Sequence, residues 1–300
     1  MPKASFTSTD NRQMEVEYET FGDPSHPALL MIMGYSAQMT AWPEGFIKKL
    51  ASAGYYVIRF DNRDCGLSTH LDGVFVDVGP VIAAALFDDP IPPIPYTLVD
   101  MAGDAVALLD HLGIERAHVA GMSLGGMVSQ VVAYTHPHRV MTLTSISSQP
   151  GDPEVGQPTM EASAVIFEEA PAGMSREDYI ESSLNWQVWQ SQKYRDDNLS
   201  RTAAALSYDR AFYPEGATRQ LAAVYGTGRR HDQVATISVP TLVIHGTDDT
   251  LITPSGGERT AELVPNSTLV MVDDMGHDLP QPLWPLLTNA IVDHLARVQA

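Results

Sequence analysis

The chain has 300 residues, 44% of them hydrophobic, and a formal net charge of −19 at pH 7. This size suffices for one large domain or a domain with an insertion, and the negative charge argues against nucleic acid or an anionic membrane as a partner. The single cysteine, Cys65, excludes an intramolecular disulfide and a zinc site built from cysteines, which fits a reducing compartment. Because no apolar run reaches the length of a signal peptide or membrane span, we predict a cytoplasmic protein.

Apolar stretches of strand length alternate with segments of helical period, a pattern typical of a sheet built from β-α-β units. In the first half of the chain, strands are predicted over 14–21, 28–33 and 56–60, and helices around 46–50 and over 98–112. A long apolar and proline-rich connection spans Leu71 to Tyr96. This connection is predicted either to form a lid or extra wall of a binding pocket or to pack on the surface.

In the second half, a strand at 118–120 leads into a helix over 124–135, and further strands are predicted over 140–146, 240–246 and 267–272. A closing helix is predicted over 283–297. From about 149 to 234 the pattern is helical, with aromatic residues and no convincing strand. We therefore predict an α/β core formed by 1–149 and 235–300, with 150–234 inserted as a helical cap.

Residues 121–125, Gly-Met-Ser-Leu-Gly, place one serine between two glycines where a strand meets a helix. A sharp turn at this point projects the hydroxyl of Ser123 beyond the sheet, and flanking glycines relieve the crowding. The hydroxyl becomes nucleophilic only when an imidazole accepts its proton. Among ten histidines, His277 is the best candidate, because it follows the last predicted strand in a loop that can return over the sheet edge.

A carboxylate at the end of another strand is needed to orient the imidazole and stabilise its charged form. Asp248 and Asp249 both follow the strand that ends at Gly246, and the residue pattern leaves the choice between them open. Asp152, after the preceding strand, is a weaker alternative. The chain order serine, aspartate, histidine is that of α/β-hydrolases and differs from the chymotrypsin and subtilisin orders.

The chain resembles the α/β-hydrolase family along nearly its whole length, and four blocks carry the resemblance: Met33-Gly34, 61–68, 121–126, and the pair 246–249 with 276–277. Its segment 21–68 is most similar to the aclacinomycin methylesterase group, whose enzymes remove a methyl ester from a polyketide. The resemblance implies the α/β-hydrolase fold, with a mostly parallel sheet of about eight strands flanked by helices and a helical cap.

The resemblance also assigns individual roles. In the family's His-Gly-x-x-Asp pattern the acid follows the glycine by three residues, which selects Asp249. The oxyanion donors of the family are backbone N–H groups, and they correspond here to Tyr35 and Leu124. Met33 stands where many relatives have histidine, but a backbone donor does not depend on that side chain.

These residues predict a carboxylesterase or methylesterase that forms an acyl-enzyme and uses no metal or cofactor. Ser123 excludes dehalogenases and epoxide hydrolases with an aspartate nucleophile. Perhydrolase, lactonase, amidase and C–C hydrolase activities stay open, as does a non-catalytic ligand receptor. The expected partner is a small ester with an apolar or ring-bearing acyl group, and no oligomeric state is predicted. Candidate pocket residues are Gly34, Met122, Trp186 and Tyr213.

Overall fold

The computed structural model describes residues 2–168 and 170–298, which contain one eight-stranded sheet. The order across the sheet is β1-β2-β4-β3-β5-β6-β7-β8; β1 and β2 pair antiparallel and the other strands run parallel. The strands are β1 (Lys3–Thr7), β2 (Gln13–Phe21), β3 (Ala28–Ile32), β4 (Tyr56–Phe60), β5 (Ala117–Met122), β6 (Val140–Ile146), β7 (Thr241–Gly246) and β8 (Ser267–Val272). The α/β class and the sheet of about eight strands are thereby confirmed.

Eleven α-helices occur within the described residues. They are α1 (Glu44–Ser52), α2 (Val78–Leu86), α3 (Leu98–His111), α4 (Leu124–Thr135), α5 (Met160–Ile166), α6 (Arg176–Ser182), α7 (Asp197–Ala211), α8 (Glu215–Thr227), α9 (His231–Val234), α10 (Ser255–Leu263) and α11 (Trp284–Leu295). None of them combines the length and the apolar character that a membrane crossing requires.

Two hydrophobic layers cover the sheet, and the alternation of β3 shows how they form. Leu30 and Ile32 pack into the layer that contains apolar residues of α3 and α4. Leu29 and Met31 pack into the opposite layer, with apolar residues of α1 and α11. Each fully buried leucine or isoleucine contributes about 1.5–3 kcal/mol, so a strand that is apolar at every position is stable only between two such layers.

The segment between β6 and β7 contains α5 to α9 and no strand among the described residues 147–168 and 170–240. Its helical content agrees with the sequence pattern, whereas a separate cap with boundaries at 150 and 234 stays a prediction. Helix α8 of this segment packs against α2, which lies in the proline-rich connection. Arg219 of α8 also forms a buried ion pair with Asp64, at 2.8 Å, in the turn after β4.

Besides α2 in the proline-rich connection, two elements outside the segment 150–234 were not predicted from the sequence. Strand β1 is an edge strand in which only Ala4 is fully buried, so its sequence lacks an apolar run. Helix α10 contains Gly256 and Gly257, which weaken its helical pattern. Both elements are stabilised by packing partners: β1 pairs with β2, and α10 packs against β7 and β8.

Candidate active site

Ser123 occupies a strained turn between β5 and α4. Its backbone angles are φ 57° and ψ −125°, a combination that residues with side chains rarely adopt and that costs about 1–3 kcal/mol. The glycines on either side are required by close contacts. A Cβ on Gly121 would lie 2.1 Å from the carbonyl oxygen of Gly125, and a Cβ on Gly125 would lie 2.0 Å from that of Ile32.

Backbone contacts hold this turn in place at the carboxyl end of the parallel strands. The Ser123 N–H donates to the carbonyl oxygen of Ile146 at 2.9 Å, and the hydroxyl of Ser148 donates to the Ser123 carbonyl oxygen at 2.8 Å. Gly34 passes so close that a Cβ there would lie 3.1 Å from the Cβ of Ser123. The hydroxyl of Ser123 is therefore presented by a rigid backbone.

His277 and Asp249 form a close pair at the same edge of the sheet. Nδ1 of His277 lies 2.7 Å from Oδ2 of Asp249, and both side chains are buried. The other carboxylate oxygen, Oδ1, accepts the N–H groups of Leu251 and Ile252 at 3.0 and 2.9 Å. These two bonds fix the orientation of the carboxylate, so that Oδ2 faces the imidazole of His277.

The structure pairs His277 with Asp249 and not with the neighbouring Asp248. The Asp248 carboxylate accepts the hydroxyl of Thr247 at 3.2 Å instead. Its backbone N–H donates to the carbonyl oxygen of Met275 at 3.0 Å, which ties the loop after β7 to the loop after β8. This bond brings the loop that carries Asp249 beside the loop that carries His277. The backbone N–H of His277 in turn donates to the carbonyl oxygen of Trp189 at 2.6 Å.

A second histidine supports the carboxylate from within the core. Nε2 of His245 lies 2.7 Å from the carbonyl oxygen of Ile252 and 3.5 Å from Oδ2 of Asp249. Burial lowers the pKa of His245, so the ring is neutral at pH 7 and adds no charge that competes with His277. The sequence carries no signal for the contact of His245 with Asp249.

Tyr35 and Leu124, the predicted oxyanion donors, both lie beside Ser123. Leu124 is the first residue of α4, and an N–H at that position has no partner within its helix. Tyr35 follows Gly34, and the preceding carbonyl oxygen of Met33 accepts Nδ2 of Asn62 at 2.9 Å. The turn after β4 thus braces the loop that carries Tyr35.

Ser123, Tyr35 and Leu124 line a cavity of about 110 Å³. The proline-rich connection contributes a wall through Ala85 and Leu86, and its helix α2 also packs against α8, so the structure shows features of both predictions made for it. The other apolar walls come from α4, α5, α8 and the loop after β7: Met127, Ile166, Phe167, Leu221, Val224, Tyr225, Leu251 and Ile252. Polar side chains enter the wall at Gln149, Asp152, Gln157 and Arg230.

The four predicted pocket residues do not line this cavity. Gly34 lies beside Ser123, while Met122 points into the hydrophobic layer of α1 and α11. Trp186 packs edge-on against another aromatic ring of the α6–α7 region, with centroids 5.7 Å apart. Tyr213 stacks on a histidine ring at 3.6 Å and accepts a guanidinium N–H. Both aromatic rings therefore pack within the protein.

Asp152, the weaker acid alternative, lies in the cavity wall but pairs with another histidine. Its Oδ2 lies 3.0 Å from Nδ1 of His231 at the start of α9. The structure therefore does not bring Asp152 together with His277. Arg230 and Phe167 of the cavity wall were not predicted, because nothing in their local sequence indicates that they line the same cavity as Ser123.

Comparison with known proteins agrees with the fold and with the predicted resemblance. Rhodomycin D methylesterase of Streptomyces sp. (strain C5) is 28% identical, over 92% of this chain and 93% of the relative. The 3-oxoadipate enol-lactonase 2 of Acinetobacter baylyi is 25% identical, over 91% of each protein. The crystal structure of esterase RhEst1 from Rhodococcus sp. has a TM-score of 0.74 at 20% identity, covering 99% of this chain and 100% of that one, a likeness that shows the fold alone.

The family model described as the alpha/beta hydrolase fold matches residues 27–280, which include every strand from β3 to β8 and the loops that carry Ser123, Asp249 and His277. The chain therefore belongs to the α/β-hydrolase fold family.

Proposed function

We propose that the protein hydrolyses small carboxylic esters, with Ser123 as nucleophile, His277 as general base and acid, and Asp249 as the orienting carboxylate. The observation that carries this proposal is the 2.7 Å contact between His277 and Asp249 at the sheet edge where Ser123 occupies its strained turn. A serine, a histidine and a buried carboxylate at the ends of three parallel strands are the parts that acyl transfer requires.

The first half of the reaction forms an acyl-enzyme. Because Asp249 engages Nδ1, Nε2 of His277 is the ring nitrogen that accepts the proton from the Ser123 hydroxyl. The serine oxygen attacks the ester carbonyl carbon, and the oxyanion is stabilised by the N–H groups of Tyr35 and Leu124. The tetrahedral intermediate collapses, the ester C–O bond breaks, and His277 returns the proton to the departing alcohol.

The second half releases the acid. His277 takes a proton from water as the water oxygen attacks the acyl carbon, and a second tetrahedral intermediate forms in the same oxyanion site. Its collapse breaks the bond to Ser123, and the imidazolium returns the proton to the serine oxygen. One water is consumed, and one alcohol and one acid are produced.

The cavity and the similarity to methylesterases support an ester whose acid part is the larger, mostly apolar group. Most of the wall beside Ser123 is aliphatic or aromatic, including Phe167 and Tyr225 from the predicted cap. A methyl ester has an alcohol part too small to fill such a cavity. We therefore propose that the acyl group occupies it, with 150–234 as the cap that covers the substrate.

Labelling with a fluorophosphonate tests the nucleophile directly. We expect mass spectrometry to find the label on Ser123, and Ser123→Ala to reduce p-nitrophenyl acetate hydrolysis by about 10⁴-fold or more. Ser147→Ala is a matched control, because Ser147 follows the adjacent strand β6, is buried and also has a positive φ of 44°. Wild-type turnover by Ser123→Ala, or labelling elsewhere only, would overturn the proposal.

A further inference from the structure

Three buried polar atoms without a hydrogen-bond partner belong to residues that line the cavity beside Ser123. They are Nε of Arg230, Oδ1 of Asp152 and Oε1 of Gln149. Both charged side chains are deeply buried, with Arg230 and Asp152 each only 2% exposed. Buried polar atoms without partners are rare in native structures, because each one forfeits its hydrogen bond to water.

Arg230 is a fixed cation in this wall. Its Nη1 and Nη2 donate to the carbonyl oxygens of Gly228 and Gln149 at 3.1 and 3.0 Å. Burial lowers the pKa of Arg230 to about 10, which still leaves the guanidinium charged at neutral pH. None of the ion pairs within 2–168 and 170–298 includes it, and its Nε has no hydrogen-bond partner.

Asp152 supplies an acceptor in the same cavity wall. Its Oδ2 is used by Nδ1 of His231 at 3.0 Å and faces Nε of Arg259 at 3.5 Å. Its Oδ1 has no hydrogen bond, although Arg229 approaches to 4.0 Å. Oε1 of Gln149 is a second acceptor without a partner.

One donor and two acceptors are complementary to hydroxyl groups, which both donate and accept hydrogen bonds. A carboxylate would satisfy Arg230 but would face the negative charge of Asp152 and the protein's net charge of −19. An ammonium group would face the guanidinium. A plain alkyl end would leave all three atoms without partners.

We propose that Arg230, Asp152 and Gln149 form a subsite that binds a hydroxyl group on the acid part of the substrate. The inference rests on the proposed ester hydrolysis and names its substrate class. The substrate is an ester of a hydroxylated acid, in which an apolar segment lies against the aliphatic walls and the hydroxyl lies at these three residues. Ser123 then meets the ester carbonyl in the same cavity.

Methyl esters of straight-chain acids test the subsite, since their alcohol part cannot compete for the cavity. Three series of increasing chain length carry a terminal methyl, hydroxyl or carboxylate group. We expect one chain length at which the hydroxyl ester has a kcat/KM about 10-fold above both matched esters, the preference that one hydrogen bond to a charged group confers. Where turnover is slow, the same esters are compared as competitive inhibitors of p-nitrophenyl acetate hydrolysis.

Variants then assign the preference to the subsite. Gln149→Met removes an acceptor that has no partner in the structure, and Arg230→Met removes the donor; both should reduce the hydroxyl-to-methyl ratio several-fold. Gln157→Met is the matched control, because Gln157 lines the same cavity without an unpartnered buried atom, and it should keep the wild-type ratio. Thermal melting of each variant separates loss of the fold from loss of selectivity.

Equal kcat/KM for the three end groups, a preference for the carboxylate, or an unchanged ratio in Gln149→Met would each overturn the subsite. These outcomes all require ester turnover. Failure of the proposed function has a different signature, in which no ester is hydrolysed and Ser123 is not labelled.

Discussion

Replacement of Asp249 by asparagine tests the geometry of the predicted triad most sharply. Oδ1 of Asp249 accepts two backbone N–H groups, from Leu251 and Ile252, so the amide oxygen of asparagine must remain at that position. The amide NH₂ then occupies the position of Oδ2, 2.7 Å from Nδ1 of His277. Since the amide donates, Nδ1 must accept, and the ring proton moves to Nε2.

A proton on Nε2 prevents His277 from accepting the proton of Ser123. The same change of tautomer in serine proteases reduces kcat by about 10⁴-fold, which corresponds to about 5 kcal/mol of barrier. The opposite orientation of the asparagine amide does not restore the catalytic tautomer of His277, because it would place the NH₂ group against the two backbone N–H donors. We therefore expect a loss of about 10⁴-fold in kcat for Asp249→Asn.

The assay is p-nitrophenyl acetate hydrolysis by purified protein, with circular dichroism to establish that each variant is folded. Asp248→Asn is the matched control, because Asp248 is adjacent but its carboxylate contacts Thr247 and not the histidine. We expect this control to keep activity within a few-fold of wild type. A folded Asp249→Asn protein with more than a tenth of wild-type kcat, or a larger loss in Asp248→Asn, would refute the tautomer argument.

Three further predictions concern stability. Gly125→Ala should destabilise the fold by about 2 kcal/mol or more in urea unfolding, because its Cβ would lie 2.0 Å from a backbone oxygen of β3. Gly173→Ala is its control, with no atom within 4 Å of the Cβ, and equal losses would contradict the steric argument. Burial raises the pKa of Asp278 from 3.8 to about 6, so its ionisation opposes folding increasingly as the pH rises between these values. Asp278→Asn should therefore stabilise the protein by about 2 kcal/mol well above pH 6 and little below 3.8; a pH-independent change in the melting midpoint would exclude this cause. Arg219→Met should cost about 3–5 kcal/mol, because it leaves the buried Asp64 carboxylate unpaired, and adding Asp64→Asn should recover part of this loss in urea unfolding.

Several elements were predictable because local sequence determines them. Helix α3 has apolar residues at helical spacing, and Thr97 and Asp100 form a capping box at its start. The turn at Ser123 has a local signal as well, since Gly121 is required by its contact with Gly125, whereas Gly125 is required by its contact with β3. Strand β1 was not predictable in this way, because an edge strand with one buried residue is stabilised mainly by its partner strand.

The sequence by itself determined the α/β class, the strand order along the chain and the candidacy of Ser123 and His277. Periodicity and strained turns depend on residues that are close in the chain, so one sequence suffices to detect them. The choice of Asp249 over Asp248 needed the family resemblance, and the structure shows the contact with His277.

Only the tertiary structure decided what surrounds the serine. Helices from three separate segments close the cavity, and Arg230 reaches its wall from a position more than a hundred residues from Ser123. The predicted pocket rings of Trp186 and Tyr213 pack against other aromatic side chains. The physical reason is that lining a cavity depends on how packed elements direct their side chains in space, and no local pattern encodes that direction.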